Sequence, residues 1–319
     1  MFSEKSGYLT SMKCLVTGGA GFIGSHIVEA LVERKAQVCV LDNFFSGNKK
    51  NLENVKEAIE IIEGDILDRK VVERVMKNVD TVFHQAALRS VPASFEDPSD
   101  YNNINIQGTL VLLEEAHRNR VKKFIYASSS SVYGENPSLP KKESDLTLPV
   151  SPYAVSKLAA EQYCQIFTKT YKLPTVSLRY FNVFGPRQPV NDGYSPVVPR
   201  FISCFLQNES PPVYGDGTQS RDFTYIENVV EANLLAMDKE HVTGVFNVGM
   251  GENHTLLDII DLLNSFLKKK MKPSFLPPQK GDVKHTLASI ELIQEKLGYR
   301  SLLSFKEGLK RTLEFFQKL

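Results

Sequence analysis

Short β-branched runs alternate with longer amphipathic stretches through the first 180 residues, an order that a parallel sheet with crossover helices satisfies and a sandwich or bundle does not. The strand candidates are Lys13 to Thr17, Gln37 to Leu41, Ile59 to Ile62, Thr81 to His84, Lys123 to Ala127 and Thr175 to Leu178. Helix patterns fill the gaps between them. Phe22 to Arg34 repeats Ile23, Ile27 and Leu31 on one face, and Tyr153 to Tyr171 carries Ala154, Leu158, Tyr163 and Phe167 at helical spacing. Strands this continuously apolar need cover on both faces, which predicts a doubly wound α/β sheet.

Past residue 180 the texture changes. Proline and glycine crowd into Phe184 to Pro199 and Pro211 to Gly217, where loops of a second, smaller lobe are expected. Helix patterns return at Glu227 to Met237, Leu256 to Leu267, Ile290 to Leu297 and Phe305 to Phe316. The cations Lys268, Lys269, Lys270 and Lys272 follow one of them, where they suit the negative end of a helix dipole and read as a solvated helix end.

With 38 Lys plus Arg against 37 Asp plus Glu, the net charge of +1 gives no pull towards phosphate polymers or anionic membranes. No apolar run reaches the roughly 18 residues of a membrane span. Met1 to Met12 reads as a short loose leader. Cys14, Cys39, Cys164 and Cys204 form no Cys-x-x-Cys pair, and the six histidines show no ligand spacing, so neither a disulfide framework nor a metal site is expected.

Thr17-Gly18-Gly19-Ala20-Gly21-Phe22-Ile23-Gly24 follows the first strand and opens the first helix. Gly18 permits a tight turn, Gly21 admits a pyrophosphate to the backbone, and Gly24 lets helix and strand pack closely, while the helix N-terminus offers free N–H groups to an anion. A purely structural glycine turn is the alternative. Asp42 stands 18 residues beyond Gly24, where a carboxylate would accept both ribose hydroxyls and repel a 2′-phosphate, so NAD is favoured over NADP. It could equally cap a turn. Tyr153 and Lys157 share a helix face after the strand ending in Ser128-Ser129-Ser130-Ser131. With 12 tyrosines and 26 lysines in 319 residues, chance supplies about one such pair, so position rather than spacing gives it meaning. A neighbouring ammonium favours the phenolate and makes Tyr153 a candidate base. The serines by themselves read as a loop or a set of caps.

These motifs, with Gly64-Asp65-Ile66, His84-Gln85-Ala86-Ala87, Asn105 before Gly108-Thr109, Tyr133-Gly134, and Arg179-Tyr180-Phe181-Asn182-Val183-Phe184-Gly185-Pro186, stand in the order found in extended short-chain dehydrogenase/reductases. From about residue 13 to 317 the chain resembles the nucleotide-sugar 4-epimerases of that superfamily, most of all bacterial UDP-N-acetylglucosamine 4-epimerases. The resemblance implies a Rossmann-type doubly wound parallel sheet with a smaller C-terminal α/β substrate-binding lobe. It implies an NAD-binding domain over residues 1–180, rejoined by about 218–247, and a nucleotide-sugar lobe from 181–217 and 248–319. An NAD cofactor, a UDP-sugar substrate and a cytoplasmic homodimer acting in polysaccharide biosynthesis belong to the same implication.

Carried over by position, the resemblance makes Ser129, Tyr153 and Lys157 the catalytic group. Ser129 stands four places before Tyr133, and Ser130 and Ser131 are second choices. Cofactor contacts fall on Gly18, Gly21, Phe22, Ile23 and Gly24, then on Asp42 and Asn43. Asp65 would face the adenine beside Ile66, with Gln85, Ala86 and Ala87 along the cofactor path and Asn105 reaching it from the helix side. Tyr180 and Val183 complete the set with Tyr153 and Lys157. Substrate contacts fall on Ser90, Ser129, Ser130, Tyr153, Asn182, Val197, Tyr214, Arg221, Asp282 and Thr286, of which Asn182, Tyr214 and Arg221 would grip the diphosphate and base.

The implied reaction inverts C4 of a UDP-hexose through a 4-keto sugar, with UDP-N-acetylglucosamine and UDP-N-acetylgalactosamine as the first pair and UDP-glucose and UDP-galactose as a second. Gln279 stands where the family commonly has an arginine, with Lys280 or Lys284 as substitutes for its charge, and Thr286 stands where enzymes restricted to unacetylated sugars carry a bulky aromatic. A 4,6-dehydratase would set Asp-Glu after its catalytic residue, where this chain has Ser130-Ser131. UDP-glucuronate decarboxylation stays open, with Arg89 as the cation for its carboxylate. A silent NAD-binding protein would be expected to lack one of Ser129, Tyr153 and Lys157.

Overall fold

The computed structural model describes residues 12–190, 196–277 and 284–319. Asp282, Gln279, Lys280 and nearly all of the expected leader lie outside the described residues. The chain opens with β1 (Lys13–Thr17), α1 (Phe22–Glu33), β2 (Gln37–Asp42), β3 (Ile59–Glu63), α2 (Arg69–Val75) and β4 (Thr81–His84). Two short helices, α3 (Val91–Glu96) and α4 (Pro98–Tyr101), run into a π-helical stretch over Asn102–Gly108 and then α5 (Thr109–Arg118). Next come β5 (Lys123–Ser129), α6 (Pro152–Tyr171), β6 (Thr175–Tyr180) and β7 (Val183–Phe184). The remainder comprises α7 (Val197–Gln207), β8 (Pro212–Tyr214), β9 (Ser220–Arg221), β10 (Thr224–Tyr225), α8 (Ile226–Asp238), β11 (Gly244–Val248), β12 (His254–Thr255), α9 (Leu256–Leu267), β13 (Ser274–Leu276), α10 (Glu291–Leu297) and α11 (Phe305–Phe316).

Seven strands form one sheet in the order β11-β6-β5-β4-β1-β2-β3, every pairing parallel. The chain reverses its direction of travel between β1 and β4, and at such a switch point the carboxyl ends of the strands leave a crevice for ligand. Alternate residues face opposite sides: Cys14 and Val16 of β1 pack with Ile27, Val28 and Leu31 of α1, whereas Leu15 packs with Val72 of α2, Leu112 of α5 and Cys164 of α6. The sheet is thus covered on both faces, as the apolar strands require.

The expected Rossmann-type sheet is present, with two kinds of correction. Strands β5 and β6 each run two residues past their expected ends, because the ladder pairs Ser128 with Arg179 and Ser129 with Tyr180 despite their polarity. The stretch expected as loop up to Pro199 contains the start of α7. Pro199 is tolerated there, since N–H groups in a first helical turn have no intrahelical partner to lose. The lysine run begins where expected: α9 ends at Leu267 and Lys268 adopts the left-handed conformation that stops it.

Candidate active site

The glycine turn is shaped by contact distances. Gly18 has φ +67°, and a Cβ there would sit 2.7 Å from the Ala86 nitrogen. At Gly24 a Cβ would lie 2.2 Å from the Gly18 oxygen, so α1 packs directly onto the turn. Gly21 caps α1 without a side-chain acceptor, which leaves the first-turn N–H groups for an anion. A cavity of about 400 Å³ opens against this turn. Gly18, Gly21, Phe22, Ile23 and Gly24 line one side of it. Asp42, Asn43, Asp65 and Ile66 line one end, Gln85, Ala86 and Ala87 the floor, and Tyr153, Lys157 and Tyr180 the other end.

Both readings of Asp42 hold together. Its Oδ2 accepts from the Ala20 N–H at 2.9 Å and its Oδ1 from the Phe44 N–H at 2.8 Å, so it caps the turn. Each oxygen keeps a second lone pair for a ribose hydroxyl. Burial pushes its pKa up, against the pull of those two N–H bonds. Lys49, the next cation along the chain after Asp42, is paired with Glu63 at 2.8 Å. Asp42→Ala should therefore weaken NAD binding about 10- to 100-fold, the worth of charge-assisted bonds to two hydroxyls, and narrow the margin over NADP. Titration of both cofactors against the variant checks this, and NADP binding as tightly as NAD to the wild type would contradict it.

Three expected residues have partners within the protein. Asn105 is buried and lines neither cavity described here; its amide exchanges bonds with the Leu88 N–H and carbonyl at 2.9 and 3.0 Å and donates to Ser156 Oγ at 2.9 Å. It thereby fixes Leu88, which lines the first cavity. The Arg221 guanidinium donates to the Ser220 and Lys284 carbonyls, both at 3.0 Å, and the Tyr214 ring lies 5.7 Å from the Arg200 guanidinium.

A second cavity of about 1080 Å³ adjoins the first. Ser90, Ser129, Ser130, Tyr153, Asn182 and Val183 line it, and Val183 is not among the residues lining the first cavity. Thr286 lies behind this wall, its Oγ1 accepting from Asn182 Nδ2 at 3.3 Å, and Val197 opens α7 beside Pro196 at the rim. Phe45, Ser46 and Gly47 line both cavities although no pattern singled them out; the only signal is that they follow Asp42 at a strand end.

The reactive groups meet where the cavities join. Ser151 caps α6, its Oγ accepting from the Ala154 N–H at 3.1 Å, and Pro152 fills the first helical position. Tyr153 therefore sits in the first turn, at the positive end of the helix dipole, which favours its phenolate. Burial pushes its pKa above the ordinary value, opposed by a side-chain hydrogen bond with Ser129 and by the Arg89 charge. Ser129 ends β5 and its Oγ accepts from the Ser131 N–H at 3.2 Å. Lys157 Nζ donates to the Ala127 carbonyl at 2.9 Å and lies 5.1 Å from the Tyr126 ring centre, and burial lowers its pKa to about 7.

Beneath the site, Thr109 Oγ1 donates to the Asn105 carbonyl at 2.6 Å, so it accepts from His84 Nε2 at 2.8 Å, and His84 Nδ1 takes the Thr17 hydroxyl at 2.7 Å. Burial lowers the His84 pKa to about 3. The native state then binds fewer protons than the unfolded chain between about pH 6.5 and 3, so stability is full above that window and falls as pH drops through it. Urea unfolding midpoints should fall more steeply below pH 6.5 in the wild type than in His84→Gln, and parallel slopes would contradict this.

Glycine cradle, bare helix N-terminus, ribose carboxylate and a Ser-Tyr-Lys group fit a nicotinamide dinucleotide and define a short-chain dehydrogenase/reductase type of enzyme. The profile described as "NAD dependent epimerase/dehydratase family" matches residues 14–249. The UDP-N-acetylglucosamine 4-epimerase of Methanobrevibacter ruminantium, solved with UDP-N-acetylmuramic acid, is 43% identical over 96% of this chain and 98% of its own, with a TM-score of 0.93. The UDP-glucose 4-epimerase of Thermotoga maritima, solved with UDP-glucose, is 40% identical over 96% and 99%, with a TM-score of 0.91. That of Thermus thermophilus, in complex with NAD, is 37% identical over 96% and 99%, with a TM-score of 0.87. The chain belongs to the NAD dependent epimerase/dehydratase family and is an NAD-dependent enzyme.

Proposed function

We propose that the protein interconverts UDP-N-acetylglucosamine and UDP-N-acetylgalactosamine by inverting C4. One observation carries the reading: Tyr153 lines both cavities, with Ser129 beside it in the second, so it can reach a sugar hydroxyl and a nicotinamide ring at once. Bound NAD supplies the two-electron acceptor, and then the donor, for C4. Tyr153 Oη takes the 4-hydroxyl proton, and Ser129 Oγ holds that hydroxyl and the phenol in line. Lys157, fixed by Ala127, lines the cofactor cavity and is placed to hold a ribose hydroxyl. The larger cavity gives the 4-keto sugar room to turn, after which Tyr153 returns the proton to the opposite alcohol.

The acetylated pair is favoured by Thr286, a small side chain behind Asn182, and by likeness to the Methanobrevibacter ruminantium enzyme. Thr286→Tyr should fill the space of an acetamido group and spare a 2-hydroxyl, a steric exclusion. The ratio of kcat/KM for UDP-N-acetylglucosamine over UDP-glucose should fall about 100-fold, and an unchanged ratio would remove Thr286 from that role. The reading itself is tested by incubating purified protein with UDP-sugars, without added cofactor, and identifying products. C4 epimers are expected; carbon dioxide from UDP-glucuronate without any epimer would replace it with decarboxylation. The same reading includes a homodimer through α6, where Val155 and Ile166 are each 50% exposed, and a monomer mass by light scattering would remove it.

A further inference from the structure

The wall between the two cavities is a tyrosine held from behind. Tyr180 lines both, yet the residue is 8% exposed. Its hydroxyl lies 2.8 Å from Asn233 Nδ2 and 3.3 Å from Gln85 Oε1. Asn233 belongs to α8 and is fully buried. Its Nδ2 spends its other hydrogen on the Val229 carbonyl at 2.8 Å, one turn earlier, which fixes the end of the amide that faces the tyrosine. The hydroxyl accepts from Asn233 Nδ2 and has two acceptors in reach for its own proton, Asn233 Oδ1 at 3.1 Å and Gln85 Oε1 at 3.3 Å, the second on a residue that lines the cofactor cavity. Asparagine is a poor residue for a buried helix interior, where leucine would cost nothing in hydrogen bonds. Here one amide hydrogen goes to the helix backbone and the other to the Tyr180 hydroxyl.

We infer that Asn233 is a positioning residue that holds Tyr180 in place so that the oxidised sugar and reduced cofactor stay together until hydrogen returns to C4. The inference rests on the C4-epimerase reading above. Midway through each turnover the C4 alcohol has lost a hydride and a proton: UDP-hexose and NAD⁺ have become UDP-4-keto-hexose and NADH, with the proton on Tyr153. Return restores the cofactor. Release at this stage leaves one keto sugar and one NADH per event, the proton passing to solvent. A ring free to swing at the junction opens that exit.

The test compares Asn233→Leu, Tyr180→Phe and the double variant for NADH formed per sugar epimerised, nucleotide retained after gel filtration, and melting temperature. Each single variant should form NADH about tenfold more often per turnover, within the range a small misplacement produces, and the double variant no more than either. A lower melting temperature with the wild-type ratio in both single variants would make Asn233 a core residue only. Should Asn233→Leu not fold, Tyr180→Phe, which loses one oxygen, decides alone. If the wild type epimerises no UDP-sugar, the functional reading fails separately, and equal nucleotide retention in wild type and Tyr180→Phe overturns the role of Asn233.

Discussion

Tyr153→Phe is expected to lower kcat about a thousandfold or more while leaving the fold and NAD binding close to wild type. The change removes one oxygen, that of a phenol which lines both cavities beside Ser129. Packing should survive, because the ring keeps its edge-on contact with Tyr101, 6.3 Å between centres at 87°. The helix cap at Ser151 and the Lys157 bond to Ala127 do not involve the lost hydroxyl. Stopped assays of UDP-sugar turnover, with bound nucleotide and melting temperature alongside, give the three readouts. Near-normal turnover would remove Tyr153 from the mechanism, and loss of nucleotide would make it a binding residue.

Gly24→Ala should damage both stability and cofactor binding. A methyl group there would lie 2.2 Å from the Gly18 oxygen and 2.9 Å from the Gly19 Cα, and neither is the end of a flexible side chain. Backbone must move, either by lifting α1 from the sheet or by opening the turn. Overpacking of this kind costs on the order of 3 kcal/mol. Opening the turn also displaces the N–H groups of Phe22 and Ile23, so NAD affinity should fall about 100-fold. Gly21→Ala is the control, since its Cβ would meet only the Gly18 oxygen, at 3.1 Å. Calorimetric titration of Gly24→Ala and thermal unfolding of both variants check this, and an equal loss of stability in the two would contradict the packing argument.

The fold was legible where a strand is a β-branched run ending at a turn: β1 and β4 fall where expected. It was least legible where pairing and not propensity decides, as at Ser128-Ser129 and Arg179-Tyr180, polar ends drawn into the ladder by their neighbours. The glycines and Asp42 could be read because each has one geometric reason to be there. Asn105 could not, since its position in the motif says nothing of where a side chain in a π-helical turn points, and it turns to Leu88. Asn233 carries no motif at all. Its meaning comes from Tyr180, 53 residues earlier, and exists only once α8 has docked on the sheet.

The central claim is that C4 is oxidised and re-reduced by the same bound cofactor. UDP-N-acetylglucosamine carrying deuterium at C4, incubated with the purified protein in ordinary water without added NAD, tests it most directly. The account predicts UDP-N-acetylgalactosamine that keeps the deuterium at C4. Epimer that has exchanged it for solvent hydrogen would contradict the account, as would no epimer from any UDP-hexose.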